Sequence, residues 1–282
     1  MSTGTHQNDI STCDASYAAG QPFDPPFNWS ELESAYNRDG FVLVGGLVPP
    51  TALAAAETAV WAAISAELGW ERGNASTWPP CGEAAVWVPG SAVASLFSPL
   101  YLEAARRLSQ HYTILAGSPL QDITPITPPE QDMMSINIFP CLNGTGWSMP
   151  PPHLDHSNKD DYHRAFPMRP VRISAMTYLT ETRPSMGGAH GAGTIVWPGS
   201  SRLVERLARR DPKRFALMWD LWQSLAEAGV GVTGSECQPL ELSPRAGDVL
   251  FYDIFEAHSG SNNTSPRPRL ALNTKWGSGR LP

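Results

Sequence analysis

The stretch AGDVLFYDIFEAHSGSNN (246–263) sets the fold class. Gly247-Asp248 makes a turn, an apolar run follows through Asp253, and His258 comes shortly after it. Runs of the same kind occur at MMSINIF (133–139), VRISAMTYLT (171–180), GTIVWP (193–198) and RLALNTKW (269–276), and each reads as a strand. Before residue 120 the pattern is mostly helical. A helix is expected to start near Ser30, with Glu33 at capping-box spacing, and to end before Gly40. FVLVGGLV (41–48) reads as a strand, while 51–70 and 99–117 read as helices. A further helix is expected over 201–228, and residues 71–92 carry no readable pattern. Helices first and then a β-rich region with long connections implies one α+β domain, mainly β. The expectation is a β-barrel or jelly roll with helices on one sheet. Residues 1–27, polar and then Pro-rich, read as a flexible or draped arm ahead of a single domain over 28–282.

Composition narrows the function classes. The chain has 282 residues with a net charge of −7, and it lacks the basic stripe of a nucleic-acid binder. Arg206, Arg209, Arg210, Lys213 and Arg214 alternate with apolar residues and read as a solvated helix face. Four separate cysteines form no CxxC pair, which argues against a structural zinc. No signal peptide and no membrane-length apolar run is visible, so a cytoplasmic protein is expected.

Chemistry enters with PPPHLDHS (150–157). On an extended segment His153 and Asp155 project to the same side, where an imidazole and a carboxylate can share a metal. A lone His-x-Asp is common by chance, and its plain alternative is a turn with a capping Asp. A third ligand at His258 completes two histidines and one carboxylate, the set typical of non-haem Fe(II) oxygenases. Arg269 opens the strand RLALNTKW, and its planar guanidinium suits a carboxylate co-substrate. Alternation puts Arg267, Arg269, Ala271 and Asn273 on one face and Leu270, Leu272 and Trp276 on the other, with Arg267 a rival for the same role. His156, on the far side from His153, and His6, His111, His163 and His190 carry no assigned role. Met133, Trp147, Met149 and Tyr178 read as core or pocket lining.

In order, HLD, GTIVWPGSS, GDVLFYD-x4-H and N-x6-R resemble the phytanoyl-CoA dioxygenase-like family of Fe(II)/2-oxoglutarate oxygenases. YNRDGFVLVGGLVPPTALAAA (36–56) is similar to that family's opening, and the resemblance spans about residues 29–276. It implies a double-stranded β-helix of the jelly-roll, cupin-like type. It implies Fe(II) on His153, Asp155 and His258, with O2 and 2-oxoglutarate consumed to succinate and CO2. Arg269 would then pair with the far carboxylate of 2-oxoglutarate, with Thr194 and Asn137 as further contacts. The partner would be a small organic substrate, a specialised metabolite or an amino-acid-like compound, and the motifs say nothing of oligomeric state.

Departures from the family pattern are local. Pro150 and Pro152 stand where many relatives have Gln and Trp, so that 2-oxoglutarate contact is lost or replaced. Ser201 replaces the His of the usual PGSH turn. Asp155 is retained, which argues against the halogenases that substitute a small residue there. Two other readings stay open: a cupin-type metal enzyme that does not use 2-oxoglutarate, and a non-catalytic binding protein on the same fold.

Overall fold

The computed structural model describes residues 20–78, 84–109, 124–125, 133–139, 148–155, 171–182, 191–232 and 234–277. Helix α1 (Trp29–Asp39) is capped by Asn28, whose side chain accepts the Glu31 N–H at 3.4 Å. The cap thus lies two residues before Ser30, because Asn28 itself reaches the first unpaired N–H groups of the helix. Strand β1 (Phe41–Val44) and helix α2 (Pro50–Leu68) follow, with Gly69 in the left-handed cap position of α2. Residues 71–92, unreadable in sequence, hold a short 3₁₀ turn, strand β2 (Ala84–Pro89) and the start of α3 (Gly90–Val93). Helix α4 (Pro99–Ser109) is described as far as Ser109, so the expected continuation to 117 lies outside the described residues.

The β region contains β3 (Thr124–Pro125), β4 (Met133–Phe139), β5 (Val171–Tyr178), β6 (Thr194–Val196), β7 (Leu240–Glu241), β8 (Val249–Asp253), β9 (His258–Gly260) and β10 (Arg269–Gly277). The helix expected over 201–228 is two helices, α5 (Ser200–Arg210) and α6 (Met218–Gln223). Pro212 is the reason: it has no N–H to continue the ladder, and it disfavours helical geometry at Asp211.

One antiparallel sheet runs in the order β1-β8-β5-β10-β4-β2, with β3 also paired to β10, and a smaller antiparallel sheet runs β7-β6-β9. Strand alternation divides the larger sheet into two faces. Val42, Phe251, Ala175, Leu270, Leu272 and Trp276 pack among α1, α2 and α4. Phe41, Leu43, Leu250, Met176, Tyr178 and Ala271 point the other way and meet Val196 of the small sheet and Leu242 just beyond β7. The expected apolar outer face under the helices is therefore present. A third cluster joins Trp197 and Ile195 to α5 and α6. Within residues 20–27, Phe23 bridges to Val44, and its N–H donates to the Leu43 carbonyl at 2.9 Å. Among the described residues no helix is long and apolar enough to cross a membrane.

Gly40 joins α1 to β1 at a φ of +83°, closing the helix through its N–H to the Tyr36 carbonyl at 2.8 Å. A Cβ there would run into the Glu256 carboxyl and the Ser201 hydroxyl. Both constraints demand glycine at this position. Gly40→Ala should lower the unfolding free energy by about 2 kcal/mol or more, from left-handed strain plus the clash. Urea denaturation measures it, and an unchanged midpoint would contradict this packing.

Candidate active site

His258 opens β9, and its neighbours fix it from three sides. Its backbone N–H and carbonyl pair with those of His153 at 3.0 and 2.9 Å, which lays residues 148–155 against the small sheet. Its Nδ1 meets the Glu256 carbonyl at 2.9 Å, leaving Nε2 directed at Asp155. Burial lowers the His258 pKa below its ordinary value, with the Asp155 charge opposing, so the neutral imidazole that a metal requires is favoured. The imidazole rings of His153 and His258 lie 4.4 Å apart. Leu154, between the two polar residues, turns away into the core beside Trp197. Trp222 donates its indole N–H to the Pro152 carbonyl at 3.2 Å, and the Asn262 side chain accepts the Ser148 N–H. The segment that carries His153 and Asp155 is therefore anchored at several points along its length.

Asp155 faces His258 with one oxygen, Oδ1 standing 3.8 Å from Nε2. Its other oxygen, Oδ2, accepts from Ser174 Oγ at 2.7 Å, from Tyr252 OH at 2.8 Å and from the Lys275 ammonium. Adjacent ligands with bonds of about 2.1 Å stand about 3 Å apart in a regular site. His258 and Asp155 are a little wider than that, and among the described residues no three His, Cys, Asp or Glu side chains are already drawn together as metal ligands. Two imidazoles and a carboxylate nonetheless form a donor set suited to Fe(II), and all three lie at one place.

A second polar cluster lies further along the same strands. Val196 pairs with His258 and Thr194 with Gly260, so Thr194 is one two-residue step away, about 7 Å along the strand. Tyr178 OH and Thr194 Oγ1 are 2.6 Å apart. Arg269, only 2% exposed, reaches the Ala192 carbonyl at 3.2 Å and Thr194 Oγ1 at 3.5 Å. Arg267 is exposed, so the buried guanidinium is that of Arg269. Asn137 stands opposite Ala271 on β4 in backbone register, and its side chain lies outside the described residues.

The structure thus brings His153, Asp155 and His258 to one place and Thr194 and Arg269 to another. His6, His111, His156, His163, His190 and Trp147 lie outside the described residues, as does the side chain of Met133. Met149 is 42% exposed, whereas Tyr178 is buried. The sequence reading missed Ser174, Tyr252 and Lys275. The signal for Lys275 was present, since the alternation Arg269, Ala271, Asn273 continues to it. The PGSS turn also supports the site. Ser200 Oγ accepts the Ala257 N–H at 2.9 Å, and the Ser201 N–H donates to Glu256 at 3.1 Å. Both bonds hold the segment just ahead of His258.

No protein-family model and no curated protein matches the sequence. Solved structures do match. The first is the non-haem alpha-ketoglutarate-dependent carbocyclase SnoK from nogalamycin biosynthesis, with a TM-score of 0.54, 18% identity, 92% of this chain covered and 87% of that one. AviO1 from Streptomyces viridochromogenes Tue57 aligns with a TM-score of 0.51, 13% identity and coverage of 90% of this chain and 97% of that one. EvdMO1 aligns with a TM-score of 0.53 and 14% identity, over 89% of this chain and 50% of that one. At these identities the likeness establishes a shared fold.

Burial also governs the phenols around the site. It pushes Tyr178 up to about 12 against the opposing Arg269 charge. Burial raises Tyr252 well above the ordinary phenol value, with the Asp155 charge adding to it. Tyr36 and Tyr101 are raised by burial as well. In each case the neutral form is favoured by the fold. That stabilisation is full below the unfolded value of about 10 and is lost as pH rises through the folded value. Ultraviolet titration of the native protein should therefore leave these four of the seven tyrosines protonated beyond pH 10 until the chain unfolds. Reversible ionisation of all seven near pH 10 would contradict this burial.

Proposed function

We propose that this chain is an Fe(II)- and 2-oxoglutarate-dependent oxygenase of the phytanoyl-CoA dioxygenase-like kind, built on a double-stranded β-helix. The supporting observation is the convergence of His153, Asp155 and His258 at one level of the inter-sheet space, with Arg269 and Thr194 one strand step further along. That spacing suits a short dicarboxylate with one end at the metal ligands and the other at the guanidinium. Bound Fe(II) would supply O2 activation coupled to the conversion of 2-oxoglutarate to succinate and CO2.

The protein's own residues then have distinct roles. His153, Asp155 and His258 would hold the metal through one face and leave the opposite positions open. Arg269 would pair with the far carboxylate of 2-oxoglutarate, and Thr194, held by Tyr178, would add a hydroxyl contact. Asn137 is placed in register to add another. Met176, Leu250 and Ala271 form an apolar wall on the same face, which keeps water from the reacting centre. The substrate is a small organic molecule, and SnoK's place in nogalamycin biosynthesis favours a specialised metabolite. The outcome is hydroxylation or a related oxidation.

One observation favours a second reading. The Lys275 ammonium already provides Asp155 with a cation. In a non-catalytic binding protein that pair would be permanent, and the chain would take up no metal.

Two measurements test the main reading. His258→Ala should lose most bound Fe(II) in equilibrium dialysis and stop succinate formation, since two remaining ligands hold the metal weakly. Full occupancy and activity in that variant would exclude His258 as a ligand. Arg269→Ala removes the charge partner of a buried carboxylate, a loss of about 2–5 kcal/mol. The concentration of 2-oxoglutarate needed for half-maximal succinate release should rise well over tenfold. An unchanged requirement would exclude Arg269 as the anchor.

A further inference from the structure

Three strands place three donors in one row. Tyr252 on β8 stands directly opposite Ser174 on β5, and Ser174 stands directly opposite Lys275 on β10. Directly opposed residues of antiparallel strands project to the same face with Cβ atoms about 5 Å apart. Tyr252, Ser174 and Lys275 therefore form a continuous polar row at one level of the inner face. The next row along the same strands is Leu250, Met176 and Asn273, mainly apolar. Asp155 lies over the polar row.

All three donors converge on a single carboxylate oxygen. Oδ2 of Asp155 accepts from Ser174 at 2.7 Å, from Tyr252 at 2.8 Å and from Lys275, and Lys275 also donates to Ser174 Oγ at 2.9 Å. The Lys275 side chain is 18% exposed and that of Asp155 14%, so water competes weakly for the pair. Of the three bonds only that from Lys275 carries a full charge, which makes it the strongest. The carboxylate has one oxygen committed to the sheet and the other turned to His258.

We propose that Lys275 is a positioning residue: with Ser174 and Tyr252 it holds Oδ2 so that Asp155 presents Oδ1 alone to the metal. The proposal rests on the metal-binding reading of His153, Asp155 and His258. A one-oxygen ligand would leave the metal more open positions for co-substrate and O2 than a two-oxygen carboxylate would. The fixed rotamer also means that metal binding does not have to order the side chain. Charge acts against this role, because an ammonium near a dication is repulsive. The two effects predict opposite signs, and the sign can be measured.

The experiment titrates the metal-free full-length chain with Co(II) against a chelating indicator. It compares the unmodified protein with Lys275→Met, Lys275→Arg, Asp155→Ala and the Lys275→Met/Asp155→Ala pair. Loss of an outer partner of a ligand commonly weakens metal binding about 10–100-fold. Lys275→Met should show that loss, Lys275→Arg should recover most of it, and the weakening should vanish when Asp155 is already absent, leaving at most the relief of charge repulsion. Co(II) binding in Lys275→Met as tight as in the unmodified protein, or tighter, overturns the proposal and makes Lys275 a competing counter-ion. A weakening by Lys275→Met that persists in the Asp155→Ala background overturns it too. If Asp155→Ala itself binds Co(II) normally, the underlying metal assignment fails, which is a separate result. Should Lys275→Met not fold, Ser174→Ala and Tyr252→Phe remove the other donors singly. Each must then weaken Co(II) binding for the proposal to stand.

Discussion

The candidate site depends on the register of β8, β5 and β10. Their period-two alternation gives one face to the helices and the other to the small sheet. A slip of one residue between β5 and β10 would reverse every side chain on the moved strand. Lys275 would then point toward the helix layer, and an apolar neighbour such as Trp276 would take its place beside Asp155. Register here is held by burial on both sides: Trp276 and Leu272 among the helices, Ala271 and Tyr178 between the sheets. The packing that stabilises the fold is the same packing that aims the polar residues.

Much of this was legible in the sequence because it follows from alternation and from punctuating residues. Leu270, Leu272 and Trp276 separate from Arg269, Ala271 and Asn273 on spacing alone, and the structure keeps that division. Gly40 and Gly69 mark helix ends because only glycine tolerates the left-handed cap without strain. Three features were hidden for physical reasons. Asn28 rather than Ser30 caps α1, and both are good capping types, so geometry alone separates them. The split between α5 and α6 is signalled by Pro212 but masked by the helical character of residues on both sides. Strand β2 was unreadable because it borders β4 at the sheet edge, with Val86 and Val88 buried and Trp87 exposed, amid Trp and Pro residues that suggest turns.

The site itself divides along the same line. His153, Asp155 and His258 are candidates only when their spacing is joined to the family resemblance, since the His-x-Asp pair alone is common by chance. Alternation puts Arg267 and Arg269 on one face without choosing between them, and burial of Arg269 alone separates the two. Ser174, Tyr252 and Lys275 are different, because they matter only through a register that joins residues far apart in sequence. Nothing local in VRISAMTY announces that Ser174 will meet a carboxylate from residue 155. Lys275 and Asp155 are 120 residues apart, and only the sheet brings them together.

The central claim is that two histidines and one carboxylate from distant segments hold a single metal. A crystal grown without oxygen in the presence of Fe(II) and 2-oxoglutarate, with diffraction recorded at the iron absorption edge, locates the metal directly. The account predicts one anomalous peak per chain, bounded by the imidazoles of His153 and His258 and by Oδ1 of Asp155, with 2-oxoglutarate extending from it toward Arg269. A peak elsewhere, or none while Lys275 remains on Asp155, would contradict it.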